Sequence, residues 1–439
     1  MNGTTTTTSH PTRPPLNGHP HPRQAGQSIV DPGASDAGQA PRRLVTLASV
    51  AILCVVAFLA CWLRNQTLLG AALLFAIGVS GRIPRLRIPD ALALGLAAWA
   101  ACTLAWTVDV NVTLSSAYLY VSACVIFVAV RHIVTTKADL VAVACAYLLG
   151  VSLRAFQLIA DAMKTGTAPR ADAFDLTVRY GIDGFNINFT AYSLVTGFLL
   201  TLLVIRVGDL PRKARFALYA LLPVLAYAVL LNATRGAIAA LVVGSAYFLV
   251  SRWLTKVCWY GALVLVPTLL ILIPIQLTHG ALPWLDSLFE YRSTGDLAGR
   301  LLVWPYAMQS WSESLLTGVG AGIFPLANPA GFGAHNLVLT VGNDLGLIGL
   351  LVYAALVATA LVKAARRSPV NRRLAGLFLV GFLPVWMTGH WDVALGMWLL
   401  LGLTSVLSDP SVVAPATPEQ GKLQRPESRG LQGIALVER

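Results

Sequence analysis

Charge is what this sequence has least of. Asp, Glu, Lys and Arg make up 12% of 439 residues, while 56% are hydrophobic. A soluble domain carries roughly 25% charged residues. Half that share leaves too little polar surface to cover a water-soluble globule of this length, and the mean hydropathy of +0.68 agrees. The strict apolar/polar alternation of outer-membrane barrel strands is also missing, which excludes that class. Acidic residues are scarcer than basic ones, 20 against 32, for a net charge of +12. The Lys and Arg residues sit mostly in short loops between apolar runs, where they set membrane topology. Nucleic acid is therefore not an expected partner.

Chemistry-bearing motifs are equally sparse. The 6 cysteines (Cys54, Cys61, Cys102, Cys124, Cys145, Cys258) lie in or beside apolar runs. No CxxC and no Cys/His cluster occurs, so they read as small core residues rather than a metal site or a disulfide framework. There is no Asp-x-Asp pair for a metal-bound nucleotide sugar, no Gly-x-Ser-x-Gly, no His-Glu-x-x-His and no Walker loop. Thr317-Gly-Val-Gly320-Ala-Gly322 reads as a flexible turn. It is only loosely like a phosphate-cradling loop, since no Lys-Ser/Thr follows. No metal, nucleotide or other cofactor is expected, and a nucleotide-driven enzyme or pump is disfavoured.

What the sequence has is long apolar runs. They predict an all-α polytopic membrane bundle of about twelve spans with a partly helical outer loop region. The runs are 44–62, 67–81, 91–107, 113–130, 138–160, 187–206, 216–232, 236–251, 258–277, 336–362, 374–389 and 393–408. Residues 1–43 are rich in Thr, Pro, His and Gly, and residues 409–439 are similar; both read as disordered tails flanking a membrane domain at 44–408. The N-terminal stretch has no apolar segment beside its start and does not read as a cleavable signal peptide. His19 and His21 there read as tail composition rather than metal ligands.

Sidedness follows from the basic loops. Arg82, Arg85 and Arg87, then Arg131 and Lys137, then Arg206, Arg212, Lys213 and Arg215, then Arg252 and Lys256, then Lys363, Arg366, Arg367, Arg372 and Arg373 mark alternate loops. Those loops are expected in the cytoplasm with both termini. The opposite loops would face outward. The two largest are 161–186 and 278–335. Within the latter, Leu301, Trp304, Met308 and Trp311 have the spacing of one helix face, predicting a helix that lies on the membrane or caps the bundle.

Several outward residues need explaining. Arg154 sits inside a span, Arg235 opens one, and Arg300 starts the loop helix. An ionised group at membrane depth must pair or face water. Arginine also suits bidentate phosphate recognition. Each arginine alone reads equally as a snorkelling side chain or a structural ion pair. Three on one side point to a basic outward pocket for a lipid-linked phosphate or pyrophosphate. His335, where the large loop meets a long span, reads on its own as an interfacial histidine capping a helix, with a base near neutral pH as the rival reading. His390 is a weaker candidate of the same kind. Gly342, Gly346 and Gly349 share a helix face that permits close helix contact. Asp344 beside them is a polar exception expected to pair with an arginine or line a cavity.

Three segments together resemble the O-antigen ligase and O-antigen polymerase superfamily of bacterial envelope proteins. They are Ala233-Thr234-Arg235-Gly236-Ala237; Gly299-Arg300 with Trp304 and Gly318-Val-Gly320-Ala-Gly322-Ile-Phe324; and Ala334-His335-Asn336-x-x-Leu339 followed by Gly342, Asp344-x-Gly346 and Gly349. Phe185-Asn186-Ile-Asn188-Phe189 is a weaker fourth. The family usually carries Glu where Asp344 stands. The motifs cover roughly 180–350, and the span layout matches along the chain.

The resemblance implies an inverting, metal-independent integral-membrane glycosyltransferase of the GT-C type. A ligase of this kind moves O-antigen polysaccharide from undecaprenyl pyrophosphate to lipid A–core on the periplasmic face of the inner membrane, in lipopolysaccharide biosynthesis. It implies His335 as the base, lifting that reading above the helix cap. Arg235 and Arg300 would stabilise the pyrophosphate, with Arg154 and Arg179 assisting. Membrane lipids are the remaining expected partners. Two rivals stand beside it. An O-antigen polymerase uses the same donor with a lipid-linked repeat unit as acceptor. A transporter or flippase of lipid-linked sugar would need charges deep in several spans and an internal inverted repeat, and little of either is visible.

Overall fold

The computed structural model describes residues 39–62, 66–80, 86–164, 180–182, 186–279, 300–389 and 391–413. Arg179, His390, most of both tails, 165–179 and 183–185 of the first large outer loop and 280–299 of the second lie outside these. The chain divides into Met1–Arg43 and Leu44–Arg439.

The apolar runs become helices: α1 (Gln39–Leu59), α2 (Gln66–Val79), α3 (Ile88–Cys102), α4 (Val110–Ile133), α5 (Lys137–Lys164), α6 (Ile187–Val207), α7 (Arg212–Asn232), α8 (Arg235–Val250) and α9 (Thr255–His279). Beyond residue 300 come α10 (Arg300–Glu313), the single turn α11 (Phe324–Ala327), α12 (Leu337–Ala365), α13 (Pro369–Thr388), α14 (Leu395–Val406) and the turn α15 (Pro410–Val413). No strand occurs among the described residues. The fold is the polytopic helical bundle that composition predicts, and each expected span has a helix of its own in α1–α9 and α12–α14.

Length separates these helices. Among the described residues, 7 are long and apolar enough to cross a membrane, fewer than the twelve spans expected. Shorter apolar stretches cover Val45–Leu59, Leu68–Val79, Arg235–Val250 and Leu395–Val406. The last needs no lipid-matching length, because every residue of α14 is buried among its neighbours.

The first amides of a helix have no partner within it, and a capping side chain can supply one. Asp109 caps α4, accepting from the Asn111 and Val112 amides at 2.9 and 3.1 Å. Asn186 caps α6 and Asn336 caps α12 in the same way. Each is a short polar side chain placed just before an apolar run. The core runs through α4, α6 and α12–α14. α2, α3 and α14 pack on α4, while α8 and α9 pack on α13. The outward faces of α7 and α9 stay apolar and exposed, including Phe216, Tyr219, Val264 and Leu272, as lipid contact requires.

Two expectations change here. The span at 336–362 is not a continuous helix. α12 breaks at Gly346, which has φ 67° and ψ −172°. A Cβ there would collide with the Leu316 carbonyl, and the positive φ disfavours any other residue. The glycine face does permit close helix approach, Gly342 against Trp311 of α10 and Gly349 beside Trp99 of α3, but at Gly346 the partner is the chain after α10. Val319 N donates to Asn343 O at 2.8 Å, and Leu347 N donates to Leu315 O at 2.8 Å. The second change concerns 317–322, expected as a flexible turn. It is pinned: Trp106 Nε1 donates to Gly318 O at 3.1 Å, and Ala321 N donates to Thr103 Oγ1 at 3.2 Å. Irregular backbone is tolerated at depth because it is enclosed by protein and hydrogen-bonded to it.

The two ends of the bundle differ. One gathers 103–109, 180–182, 186–188, 232–236, 300, 314–336, 388–389 and 391–394. The other carries the basic loops and a buried ion pair, Arg131 Nε to Asp90 Oδ1 at 2.6 Å, with side chains 8% and 7% exposed. Arg131 also reaches the Ser405 hydroxyl and lies over the Phe127 ring. This joins α3, α4 and α14.

Candidate active site

The site begins at Arg235. The turn before it is over-determined. Asn232 is fully buried, and its amide donates to Tyr180 O and Ile187 O, both at 3.1 Å. Ala233 takes a left-handed conformation with φ 54°. The Thr234 hydroxyl donates to Asn232 Oδ1. Arg235 is thus presented, exposed, as the first residue of α8. A helix N-terminus carries partial positive charge, and Arg235 adds a full one. Gly236 presses against Thr388 so closely that a Cβ would overlap its hydroxyl.

Thr388 is the last residue of α13, and it holds the second arginine. Arg300 Nη2 donates to Thr388 O at 3.0 Å. A cation at a helix C-terminus complements the carbonyl dipoles there. Tyr192 closes the group, its hydroxyl lying 3.0 Å from Thr388 Oγ1. Burial pulls the Arg300 guanidinium below the ordinary arginine value; Tyr192 opposes that, and the positive charge of Arg235 adds to it. Gly236 and Arg300 thus meet the same threonine, and Arg235 beside Gly236 acts on Arg300 through its charge.

His335 sits on the strand of chain entering α12. It has φ +49°, a left-handed conformation that a non-glycine residue seldom takes. It is half-buried. On one side Ala334 O accepts from Trp304 Nε1 at 2.7 Å. On the other, Asn336 is fully buried as the cap of α12. Trp304 lies one turn along α10 from Arg300. Three of the four residues of the expected apolar face pack together, the side chain of Leu301 lying outside those described: Trp304 is buried, with Met308 and Trp311 packed around it in a small core of Val303, Ala307, Phe324, Ala334 and Leu339. The helix docks on the loop and on α12 rather than lying free on a membrane surface.

Arg154 is placed differently from the other two. It is fully buried in α5. Its guanidinium donates to Cys61 O and lies over the rings of Trp62 and Phe189 at 6.0 and 5.6 Å. Phe189 in turn meets Trp391, whose ring stands edge-on to Tyr192 at 5.1 Å. Arg154 is thus linked to the Thr388 group through aromatic rings, but a phosphate could reach it only if those rings withdrew.

The structure adds groups that the sequence reading passed over. A cavity of about 260 Å³ is lined by Ser116, Tyr120, Ala334, Thr340, Asp344 and Asp392 among others. Asp344 therefore lines a cavity rather than pairing with an arginine. Its neighbour is a second buried carboxyl, Asp392, which accepts from the Tyr120 hydroxyl at 2.6 Å. Burial pushes the Asp392 carboxyl above its ordinary value, against the Tyr120 hydrogen bond. Among the described residues no three His, Cys, Asp or Glu side chains group as a metal site would need. An acid in the short outer segment Gly389-His390-Trp391-Asp392 was the available signal, but its partner Tyr120 is distant in sequence.

The helical bundle and the paired arginines define a multi-pass membrane protein with a cationic site at one end. Residues 218–354 match the protein family described as O-antigen ligase. That match supports the O-antigen ligase superfamily for this chain. It spans Arg235, Arg300, His335 and Asp344 and stops before Thr388 and Asp392. No curated protein matches the sequence.

Proposed function

We propose that this protein is an O-antigen ligase, transferring polysaccharide from undecaprenyl pyrophosphate to lipid A–core at the periplasmic face of the inner membrane. The observation that carries the reading is the arrangement around Thr388: Arg235 opens the helix whose next residue packs on Thr388, Arg300 donates to Thr388 O, and His335 lies on a turn bonded to the helix that bears Arg300.

The chemistry needs only these groups. An acceptor hydroxyl attacks the anomeric carbon of the donor sugar, and the bond from that carbon to the pyrophosphate oxygen breaks. The pyrophosphate lipid departs with the electron pair. Arg235, Arg300 and the N-terminus of α8 stabilise its growing charge, fixed in place before the reaction. His335 takes the hydroxyl proton. A single displacement inverts the anomeric centre and needs no covalent nucleophile, metal or nucleotide. Arg179, and Arg154 if its aromatic cover opens, would assist in binding the donor.

The family match fits a polymerase too, so the test must separate them. Deleting a ligase leaves long polymer on the carrier lipid and bare lipid A–core. Deleting a polymerase leaves single repeat units attached to lipid A–core. The first pattern is expected; the second would overturn the ligase reading.

A further inference from the structure

We infer that Trp304 is a positioning residue for His335, and that α10 thereby sets the base and the anion-binding arginine as one unit. This rests on the reading of His335 as the base and extends it. The observations are geometric. Trp304 is 2% exposed, and its indole N–H has its acceptor in the peptide carbonyl directly before His335, at 2.7 Å. That peptide leads into the left-handed backbone of His335, with φ +49°. Few non-glycine residues take this conformation, and contacts on both flanks hold it here. Ala334 is buried in the small core around Trp304, and Asn336 is locked by accepting from the Val338 and Leu339 amides at 2.9 and 3.1 Å.

The same helix presents Arg300 one turn earlier, bonded to the end of α13. Seating α10 therefore sets two distances together: from Arg300 to the leaving pyrophosphate and from His335 to the acceptor hydroxyl. Removing the indole N–H leaves the Ala334 carbonyl without this donor and lets the turn relax toward ordinary negative φ. His335 then swings from its place while Arg300 keeps its own contact with Thr388. The effect belongs to the chemical step and not to donor binding.

The test uses the purified full-length protein with an undecaprenyl-pyrophosphate-linked glycan as donor and lipid A–core as acceptor. Trp304→Phe keeps the ring in the small core and removes the N–H. Its kcat is expected to fall on the order of 10- to 100-fold, the scale of a misplaced reacting group, with donor KM within about twofold of wild type. In a His335→Ala background, itself slower by roughly 10²- to 10⁴-fold, Trp304→Phe should add nothing further. A purely structural tryptophan would add its full loss in both backgrounds, and that result, or wild-type kcat in the single variant, overturns the inference while leaving the base intact. Wild-type turnover by His335→Ala would remove the base reading and this inference with it. Should Trp304→Phe not accumulate in membranes, Asn336→Ala loosens the same turn from its other flank. It is held to the same standard: reduced kcat and no further loss beside His335→Ala.

Discussion

Arg300 is held by the end of a helix before any substrate arrives, and this makes its contribution measurable. Its bond to Thr388 O fixes the guanidinium at the end of α13, against which α8, the helix opened by Arg235, also packs. Arg300→Ala is expected to lower the transfer rate by about 10²- to 10³-fold, the usual loss for a preorganised charge-stabilising donor. Arg300→Lys should recover only part, since a lysine lacks the planar fork. Initial rates with a lipid-linked glycan donor check both. Asp392 gives a second residue-scale expectation. Burial raises its carboxyl in the folded protein, so the folded state holds a proton more tightly than the unfolded chain. Stability from this group is greatest in acid and falls as pH climbs from the ordinary aspartate range to the raised value. Asp392→Asn keeps an acceptor for Tyr120 and removes that penalty. Its thermal midpoint should exceed wild type at pH 8, with the gap closing toward pH 4. An equal gap at both would contradict the assignment. At this scale the sequence exposed the arginines, because a charge beside an apolar run stands out. It hid their company. Thr388, Tyr120 and Trp304 are ordinary residues whose roles exist only through contacts with distant segments.

Elements were legible where hydropathy decides and illegible where contact decides. The apolar runs marked the helix bodies, while Asp109, Asn186 and Asn336, short polar residues before them, fix the starts as caps at Val110, Ile187 and Leu337. The break in α12 had no such mark. Gly342, Gly346 and Gly349 fit a smooth helix in close contact as well as a broken one. The Leu315 and Leu316 carbonyls, which accept from Leu347 and Ile348, decide for the break. Gly346→Ala meets both a positive φ and the Leu316 carbonyl. A cost of about 2 kcal/mol or more is expected from backbone strain alone. It should appear as a lower thermal midpoint and reduced membrane yield; unchanged stability would mean that the break is not required.

The molecule as a whole separates its tasks between two ends. The buried Arg131–Asp90 pair ties α3, α4 and α14 at the end opposite His335. Removing one partner strands a buried charge, at about 3–5 kcal/mol. Asp90→Ala should therefore lower the thermal midpoint in detergent while leaving turnover per folded molecule near wild type. Hydropathy and loop charge made the layout and the grouping of basic loops readable. They could not bring Arg235, Arg300 and His335 to one end, which depends on how α8 and α12 pack on α13 and how α10 docks on α12 and the intervening loop. That convergence is the centre of the account, and His335 tests it most directly. A strain carrying only His335→Ala, with the protein present in membranes at wild-type level, is expected to attach no polysaccharide to lipid A–core and to accumulate polymer on the carrier lipid. Polysaccharide attached at wild-type levels in that strain would contradict it.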